Sequence, residues 1–249
     1  GRWHLAPEVT YPAQGVNIRS TSGSFYTLVE KDSGVILETM DESSAYLQWH
    51  PGGIYLHQGD AYLITDLDLE SHTAYAKRTD APYYTEVRDL TETRLLNTFK
   101  HKRAAATTAY LGEVAVSTTV VGFRRRAHIT NEVLGEEHVS LPTQSYNTIS
   151  LWFDVPEETL SHILTRHMDL AGGLHAVEHA AIGVLPLFAL CDRSDIGGIS
   201  TPLHPDTGKP QVFIHDGHPG GVGISEHGYE VIEDLWRATL DVVSECPCR

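Results

Sequence analysis

The sequence predicts an α+β fold in which a β-rich curved sheet or small barrel precedes a helix-rich α/β segment. Up to about Pro156, short apolar segments alternate with turn residues, a pattern typical of a β meander. After Pro156 the apolar residues recur with helical periodicity, and one long helix is apolar nearly all round, which predicts that it is buried. We therefore predict two domains, a β-rich one over residues 1–155 and a helical α/β one over residues 156–249.

The elements of the first half follow from alternation and turn residues. Runs rich in Thr, Val and Tyr at 107–121 and 147–155 predict longer strands. A short helix is predicted over residues 41–49, because Asp41 can cap its start and Pro51, followed by two glycines, ends it. The short strands are predicted, in chain order, at 16–20, 25–29, 35–40, 53–57, 61–67 and 73–77.

The second half begins with two predicted helices, at 157–167 and 170–191. Pro186 is expected to kink the second helix or to mark its final turn. Residues 192–210 are predicted as a loop, 211–216 as a strand and 224–244 as an amphipathic helix, with a glycine-rich turn before that helix.

Composition and charge exclude several classes of protein. The chain of 249 residues is 41% hydrophobic and 20% charged, which is typical of a globular protein and excludes bulk disorder. A net charge of −15 disfavours coating nucleic acid or an anionic membrane with the whole surface. The longest apolar run, 180–190, is shorter than the roughly 20 residues that cross a bilayer. With only three cysteines and no signal pattern, the sequence predicts a cytoplasmic protein without a membrane partner.

One segment departs from this acidity. Between Arg94 and Arg126 seven basic residues accompany a single acid, Glu113, so the segment carries a local charge of +6. If its clusters lie on neighbouring strand ends, they form a positive patch that can bind nucleic-acid phosphates. The alternative is a solvated loop and a barrel rim. The candidate DNA-binding residues are Lys100, Lys102, Arg103, Arg124, Arg125 and Arg126.

The pattern H-x-x-E-H at residues 175–179 is a candidate metal site. On a helix, His175 and His179 share one face, so their imidazoles can converge on one metal ion, and Glu178 can act as a base on a bound water. This predicts, as an alternative function, a zinc-dependent hydrolase with Glu178 as its catalytic residue. The competing interpretation is a pair of histidines that pack the helix against a neighbouring loop.

Two further stretches resemble anion-binding loops, and the terminal cysteines resemble a metal site. The stretch 216–223, DGHPGGVG, leads from a strand into a helix and can bind an anion, but a tight turn is favoured. Residues 204–209 fail the phosphate-loop template, because Leu203 stands where its first glycine is needed. Cys246 and Cys248 are half of a tetrahedral zinc site, whereas Cys191 lies in apolar company and is expected to be structural.

Taken together, several stretches resemble the C-terminal region of MrfA-type superfamily-2 DNA repair helicases, a domain of unknown function with zinc-binding cysteines. The resemblance spans most of the chain in the same order. The segments that carry it are 50–59 (HPGGIYLHQG), 61–64, 67–68, 83–85, 174–181 (LHAVEHAA), 191–201 (CDRSDIGGIST) and 216–223.

The resemblance implies a parent protein that is an ATP-dependent 3′-to-5′ helicase. Its ATP would bind in two RecA-like motor domains of the same polypeptide, and this chain, which lacks the motor motifs, is expected to be inactive alone. Its implied role is to guide or clamp single-stranded DNA and to scaffold the motor domains, with bases stacking on Tyr83 and Tyr84 unless these pack in the core. In the family a C-x-C pair followed by G-C-P-x-C binds zinc, so Cys246 and Cys248 fit the first two ligands and the chain is expected to stop inside the motif.

Overall fold

The structure is a computed structural model that describes residues 24–247. It confirms the predicted fold class, a curled N-terminal sheet followed by a helical segment with a long helix. The predicted strand at 16–20 lies outside the described residues. The elements are β1 (Phe25–Glu30), β2 (Ile36–Asp41), α1 (Glu42–Gln48), β3 (Ile54–His57), β4 (Asp60–Asp68), β5 (Thr73–Arg78), β6 (Tyr83–Ala104), β7 (Thr107–Ala127), β8 (Val133–His138), β9 (Gln144–Asp154), α2 (Glu157–Thr165), α3 (Leu170–Val184), β10 (Ile196–Thr201), β11 (Gln211–Asp216), α4 (Ile224–Glu230) and α5 (Ile232–Glu245).

The first of two compact units contains the described residues up to Arg88 together with Val121–Ser140. Its five-stranded sheet has the order β2-β1-β5-β4-β3, with a parallel pair between β1 and β5. Trp49 and Leu28 are fully buried beside this sheet. Helix α1 starts as predicted, because the Asp41 side chain accepts a hydrogen bond from the Ser44 amide at 3.0 Å.

The second unit contains residues 89–120 and the described residues from Leu141 onward. In its sheet the strands run in the order β10-β11-β9-β7-β6. Every residue of β11 is buried, and this strand pairs with β9 on one side and β10 on the other. Leu151, Ile214, Leu185 and Leu235 form part of a core that joins this sheet to α3 and α5.

The long strands β6 and β7 contribute to both units, so contacts divide the chain differently from the linear division at residues 155 and 156. Strand β9, for example, belongs with the helices because it pairs with β11.

The sequence did not predict strand β6. Most of its 22 residues are exposed on both faces, so the alternation that reveals a half-buried strand is missing.

The second half shows three further differences from prediction. Only one face of α3 is buried, with Leu174, Ala181 and Ile182 in the core. The helix gives way to a 3-10 turn, Leu185–Leu187, at Pro186, as expected for its final turn. The predicted loop contains β10, and the predicted last helix divides at Val231 into α4 and α5.

Helix α3 with the following turn bears on the membrane prediction. Among residues 24–247, Leu170–Leu187 is one stretch that is long and apolar enough, by length and composition, to cross a bilayer. A core helix of a soluble protein satisfies the same criterion, and 33% of this stretch is buried within the protein. One such stretch is by itself weak evidence for a membrane span.

Candidate functional site

Helix α3 brings His175, Glu178 and His179 together. The helix is capped by Asp169, whose side chain accepts a hydrogen bond from the Gly172 amide at 3.1 Å. Residues three and four apart on a helix are neighbours. The two imidazole rings lie 4.3 Å apart between centroids, with an angle of 86° between their planes. One donor atom from each of the three side chains lies within 4.8 Å of the other two, so the convergence predicted from the H-x-x-E-H spacing is present.

Strand β10 holds the carboxylate of this group. Glu178 is only 5% exposed, and its Oε2 accepts a hydrogen bond from Ser200 Oγ at 2.6 Å. Gly198, on the same strand, leaves room for the side chains of Ile182 and Glu178, because a Cβ there would lie 2.5 Å from Ile182 Cδ1 and 2.9 Å from Glu178 Oε1. Sequence reasoning missed Ser200 and Gly198 as site residues, although both lie in a segment that carries the family resemblance.

A pocket of about 490 Å³ opens beside the group. Its charged residues are two acids, Asp89 and Glu178, and one base, Arg193. His175 has an exposed side chain at 64%, and His179 is also exposed. The remaining residues that line the pocket are Thr91, Ile182, Gly198, Ile199 and Ser200.

The burial of Glu178 bears on the hydrolase alternative. A general base must reach the water or substrate proton that it abstracts. Glu178 Oε2 is instead engaged by Ser200, and His175 Nδ1 lies 3.4 Å from the same oxygen. The geometry therefore suits Glu178 to binding a cation or anchoring the helix more than to acting as a base.

The glycine-rich turn after β11 is structural, as the favoured interpretation predicts. The buried Asp216 carboxylate accepts hydrogen bonds from four backbone amides, those of residues 222–225, at 2.6 to 3.3 Å, and from Ser225 Oγ at 2.6 Å. Gly223 has a φ of +93°, which favours glycine. Because Asp216 already occupies the amide donors at the start of α4, this turn offers no place for an external anion.

The arginines near the end of β7 are paired with acids of the first unit. Arg88 also reaches Glu136, at 2.6 Å, and Arg124 holds the pKa of Glu136 below its ordinary value. The positive charge of this cluster is therefore balanced nearby. The pairs are Arg124 Nε with Glu136 Oε1 at 2.7 Å, Arg125 Nη2 with Glu137 Oε1 at 2.7 Å, and Arg126 Nε with Glu86 Oε2 at 2.6 Å.

The other basic cluster, at the end of β6, has different partners. Lys102 Nζ donates to the Glu230 carbonyl at the end of α4 at 3.1 Å, and lies 4.7 Å from the centroid of the Tyr229 ring. Arg103 Nε donates to a backbone carbonyl in the following turn at 3.2 Å, and Lys100 is exposed. Within residues 24–247 none of the three forms an ion pair with a carboxylate.

The two basic clusters do not lie on neighbouring strand ends. Arg126 pairs with Glu86 near the start of β6, whereas Lys102 lies near the end of that strand. The two clusters therefore belong to different units, Lys100, Lys102 and Arg103 to the second and Arg124, Arg125 and Arg126 to the first.

The remaining candidates are two tyrosines and the cysteines. Tyr83 and Tyr84 are half-buried; the Arg125 guanidinium lies 5.7 Å from the Tyr83 ring, and Tyr84 OH donates to Asn131 Oδ1 at 3.2 Å. Burial raises the pKa of the Cys191 thiol, in keeping with a structural role. Cys248 lies outside the described residues.

Comparison with known proteins places these features in a family context. The MrfA Zn-binding domain matches residues 177–249. The ATP-dependent helicase YprA of Bacillus subtilis is 28% identical over 99% of this chain, and the ATP-dependent helicase HRQ1 of Saccharomyces cerevisiae is 23% identical over 96% of it. The chain spans 33% of YprA and 23% of HRQ1.

A solved structure matches the fold as well. The crystal structure of the DUF1998 helicase MrfA bound to DNA superposes with a TM-score of 0.66 at 27% identity. The match covers 98% of this chain and 33% of that protein. Both described units therefore have counterparts in a helicase that was crystallised with DNA.

Proposed function

We propose that this chain, which belongs to the MrfA-type helicase family and matches its C-terminal region, is the non-motor accessory region of an ATP-dependent 3′-to-5′ DNA repair helicase. The observation that carries this proposal is the match over nearly the whole chain to MrfA crystallised with DNA. ATP would be bound by RecA-like motor domains of the same polypeptide, because this sequence has no phosphate loop. We propose a cytoplasmic protein without hydrolase activity of its own.

Zinc belongs to this proposal, and the terminal cysteines suit it. The MrfA Zn-binding domain match includes Cys246 and Cys248, and thiolates are ligands that zinc prefers. Helix α5 ends at Glu245, and Cys246 continues in an extended conformation, so the chain leaves the helix where the ligands begin. Cys246 is disulfide-bonded in this structure, so Cys246 and Cys248 would hold the zinc ion as thiolates after reduction.

Single-stranded DNA is the proposed partner, and we assign its contacts to the six basic residues of the hairpin. We expect Lys100, Lys102 and Arg103 to contribute most to DNA binding, because no carboxylate of residues 24–247 neutralises them. Phosphates attract such charges and release counterions when they bind. The arginines at 124–126 would first have to exchange glutamate partners for phosphates, which offsets part of the gain.

Binding to a fluorescently labelled oligothymidylate, followed by anisotropy at several salt concentrations, tests this assignment. We expect the triple variant Lys100→Ala, Lys102→Ala, Arg103→Ala to bind more weakly and with a shallower salt dependence. The logarithmic slope should fall by about 0.7 for each phosphate that the variant no longer neutralises. A smaller loss is expected for the triple variant at Arg124, Arg125 and Arg126.

A matched control removes three exposed cations elsewhere, at Lys77, Arg78 and Arg237. Its binding should stay close to that of the unmodified chain. Equal affinity and equal salt slope for all three triple variants would contradict the assignment of DNA contacts to the hairpin.

A further inference from the structure

We propose that His175, Glu178 and His179 bind a divalent transition-metal ion at a second metal site, separate from the terminal cysteines. The three side chains supply two imidazole nitrogens and a carboxylate oxygen from one helix. Such a donor set suits zinc and its neighbours in the first transition row. The site is assigned from the geometry of α3 and β10 alone, and it does not depend on DNA binding.

The distances between the donor atoms are compatible with one ion. All three lie within 4.8 Å of one another, and ligands of a tetrahedral zinc ion lie about 3.4 Å apart when the bonds are about 2.1 Å long. The difference is small enough for side-chain rotation to close. His175 and His179 are exposed, so their rings can turn without disturbing the core.

The burial of the Glu178 carboxylate also supports a bound metal ion. A buried anion is costly unless it is paired and hydrogen-bonded. Glu178 has a neutral donor, Ser200 Oγ, at 2.6 Å, and His175 Nδ1 lies only at 3.4 Å. A bound cation would place a full positive charge beside this carboxylate, in addition to the hydroxyl and the imidazole. Ser200 would then orient the ligating carboxylate, as partners behind metal ligands commonly do.

The surroundings also favour a cation with access to solvent. The pocket of about 490 Å³ beside the group is lined by Asp89 and Glu178 against the single base Arg193. Three protein ligands leave one tetrahedral position open. That position would face the pocket and take a water molecule or another small ligand, whereas a closed structural site is filled by four protein ligands.

Titration with Co²⁺ separates this site from the cysteines. In a Cys246→Ser, Cys248→Ser variant of the full chain, we expect one equivalent of Co²⁺ to produce visible d–d absorption without sulfur-to-cobalt charge transfer. Adding His179→Ala should weaken binding by at least about tenfold, because it removes one of three ligands. Ser200→Ala should weaken it by about tenfold as well, because it removes the group that orients the carboxylate.

His162→Ala is the matched control, since His162 is an exposed histidine on the neighbouring helix α2. It should leave Co²⁺ binding unchanged. Circular dichroism of each variant shows whether the fold is retained, and alanine at exposed helical positions favours retention. Failure of the cysteine-free chain to bind Co²⁺, or equal binding by the His162→Ala and His179→Ala variants, would overturn the proposal.

Discussion

The two ends of the β6–β7 hairpin present similar basic residues in opposite electrostatic settings. In the first unit, Arg124, Arg125 and Arg126 each meet a glutamate. In the second unit, Lys102 and Arg103 donate to backbone carbonyls instead. A count of charges along the chain treats the two groups alike, yet only the second keeps its positive charge unneutralised by side chains of residues 24–247. The net charge of a segment therefore does not show which of its cations are neutralised by neighbouring acids.

The two units also differ in the carboxylate that stabilises the start of a helix. The second unit depends on the Asp216 carboxylate, which gathers four amides and a hydroxyl where β11 passes into α4. The first unit has a simpler cap at Asp41, with one backbone amide and two serine hydroxyls. The fold of the second unit is thus expected to be more sensitive to the loss of a single side chain.

Replacing Asp216 should have the largest effect. Asp216→Ala leaves several buried donors without an acceptor, so we expect a loss of about 3–5 kcal/mol in the free energy of unfolding of the second unit. Asp41→Ala in the first unit removes only a helix cap and should cost about 1 kcal/mol. Hydrogen exchange measured separately for the two units, with increasing denaturant, reports both values. Similar losses for the two variants would remove the difference between the units.

Lowering the pH should also destabilise the two units to different extents. We expect this effect to be smaller than that of replacing Asp216. Burial lowers the pKa of His204 and His215 in the second unit and of His50 in the first. Each histidine takes up a proton more readily when unfolded, so its contribution to stability is complete above about pH 6.5 and is lost as the pH falls below that value. Because the second unit has two such histidines and the first has one, the second unit should lose more stability than the first between pH 7 and pH 5.5.

The same exchange experiment at the two pH values checks this expectation. His215→Gln is the informative variant, because it removes one of the titrating groups from the second unit. It should reduce the difference between pH 7 and pH 5.5 in that unit and leave the first unit unchanged. A larger acid sensitivity in the first unit would contradict the assignment.

Sequence reasoning locates elements that have a continuous apolar run or a clear cap, and it misses elements that depend on partners distant in the chain. Strand 211–216 and the Asp41 cap are of the first kind. Strand β10 is of the second kind. The sequence predicts a loop there because Gly197 and Gly198 weaken a strand signal, and its partners β11 and α3 make it a strand.

The candidate site shows the same limit. The helical spacing is sufficient to predict that His175, Glu178 and His179 converge. It is not sufficient to find Ser200, because that residue is 22 positions away and meets Glu178 only when β10 packs against α3. Nor does local charge predict that Arg126 pairs with Glu86, 40 positions earlier in the chain.

Removing the acidic partners of Arg124, Arg125 and Arg126 should make their electrostatic setting like that of the other basic cluster. Of the changes considered, this one should have the smallest effect on stability. The triple variant Glu86→Gln, Glu136→Gln, Glu137→Gln keeps the side-chain shapes but removes three acidic partners. Exposed ion pairs contribute little to stability because solvent screens them, so the melting temperature should fall only slightly. DNA affinity at low salt should rise several-fold, because the three arginines then face solvent without counter-charges, and high salt should abolish the gain.

A control variant replaces three acids outside the hairpin, Glu70, Glu158 and Asp241, by their amides and changes the net charge equally. If that control variant gains as much affinity, then total charge governs binding, and local pairing does not distinguish the two basic clusters.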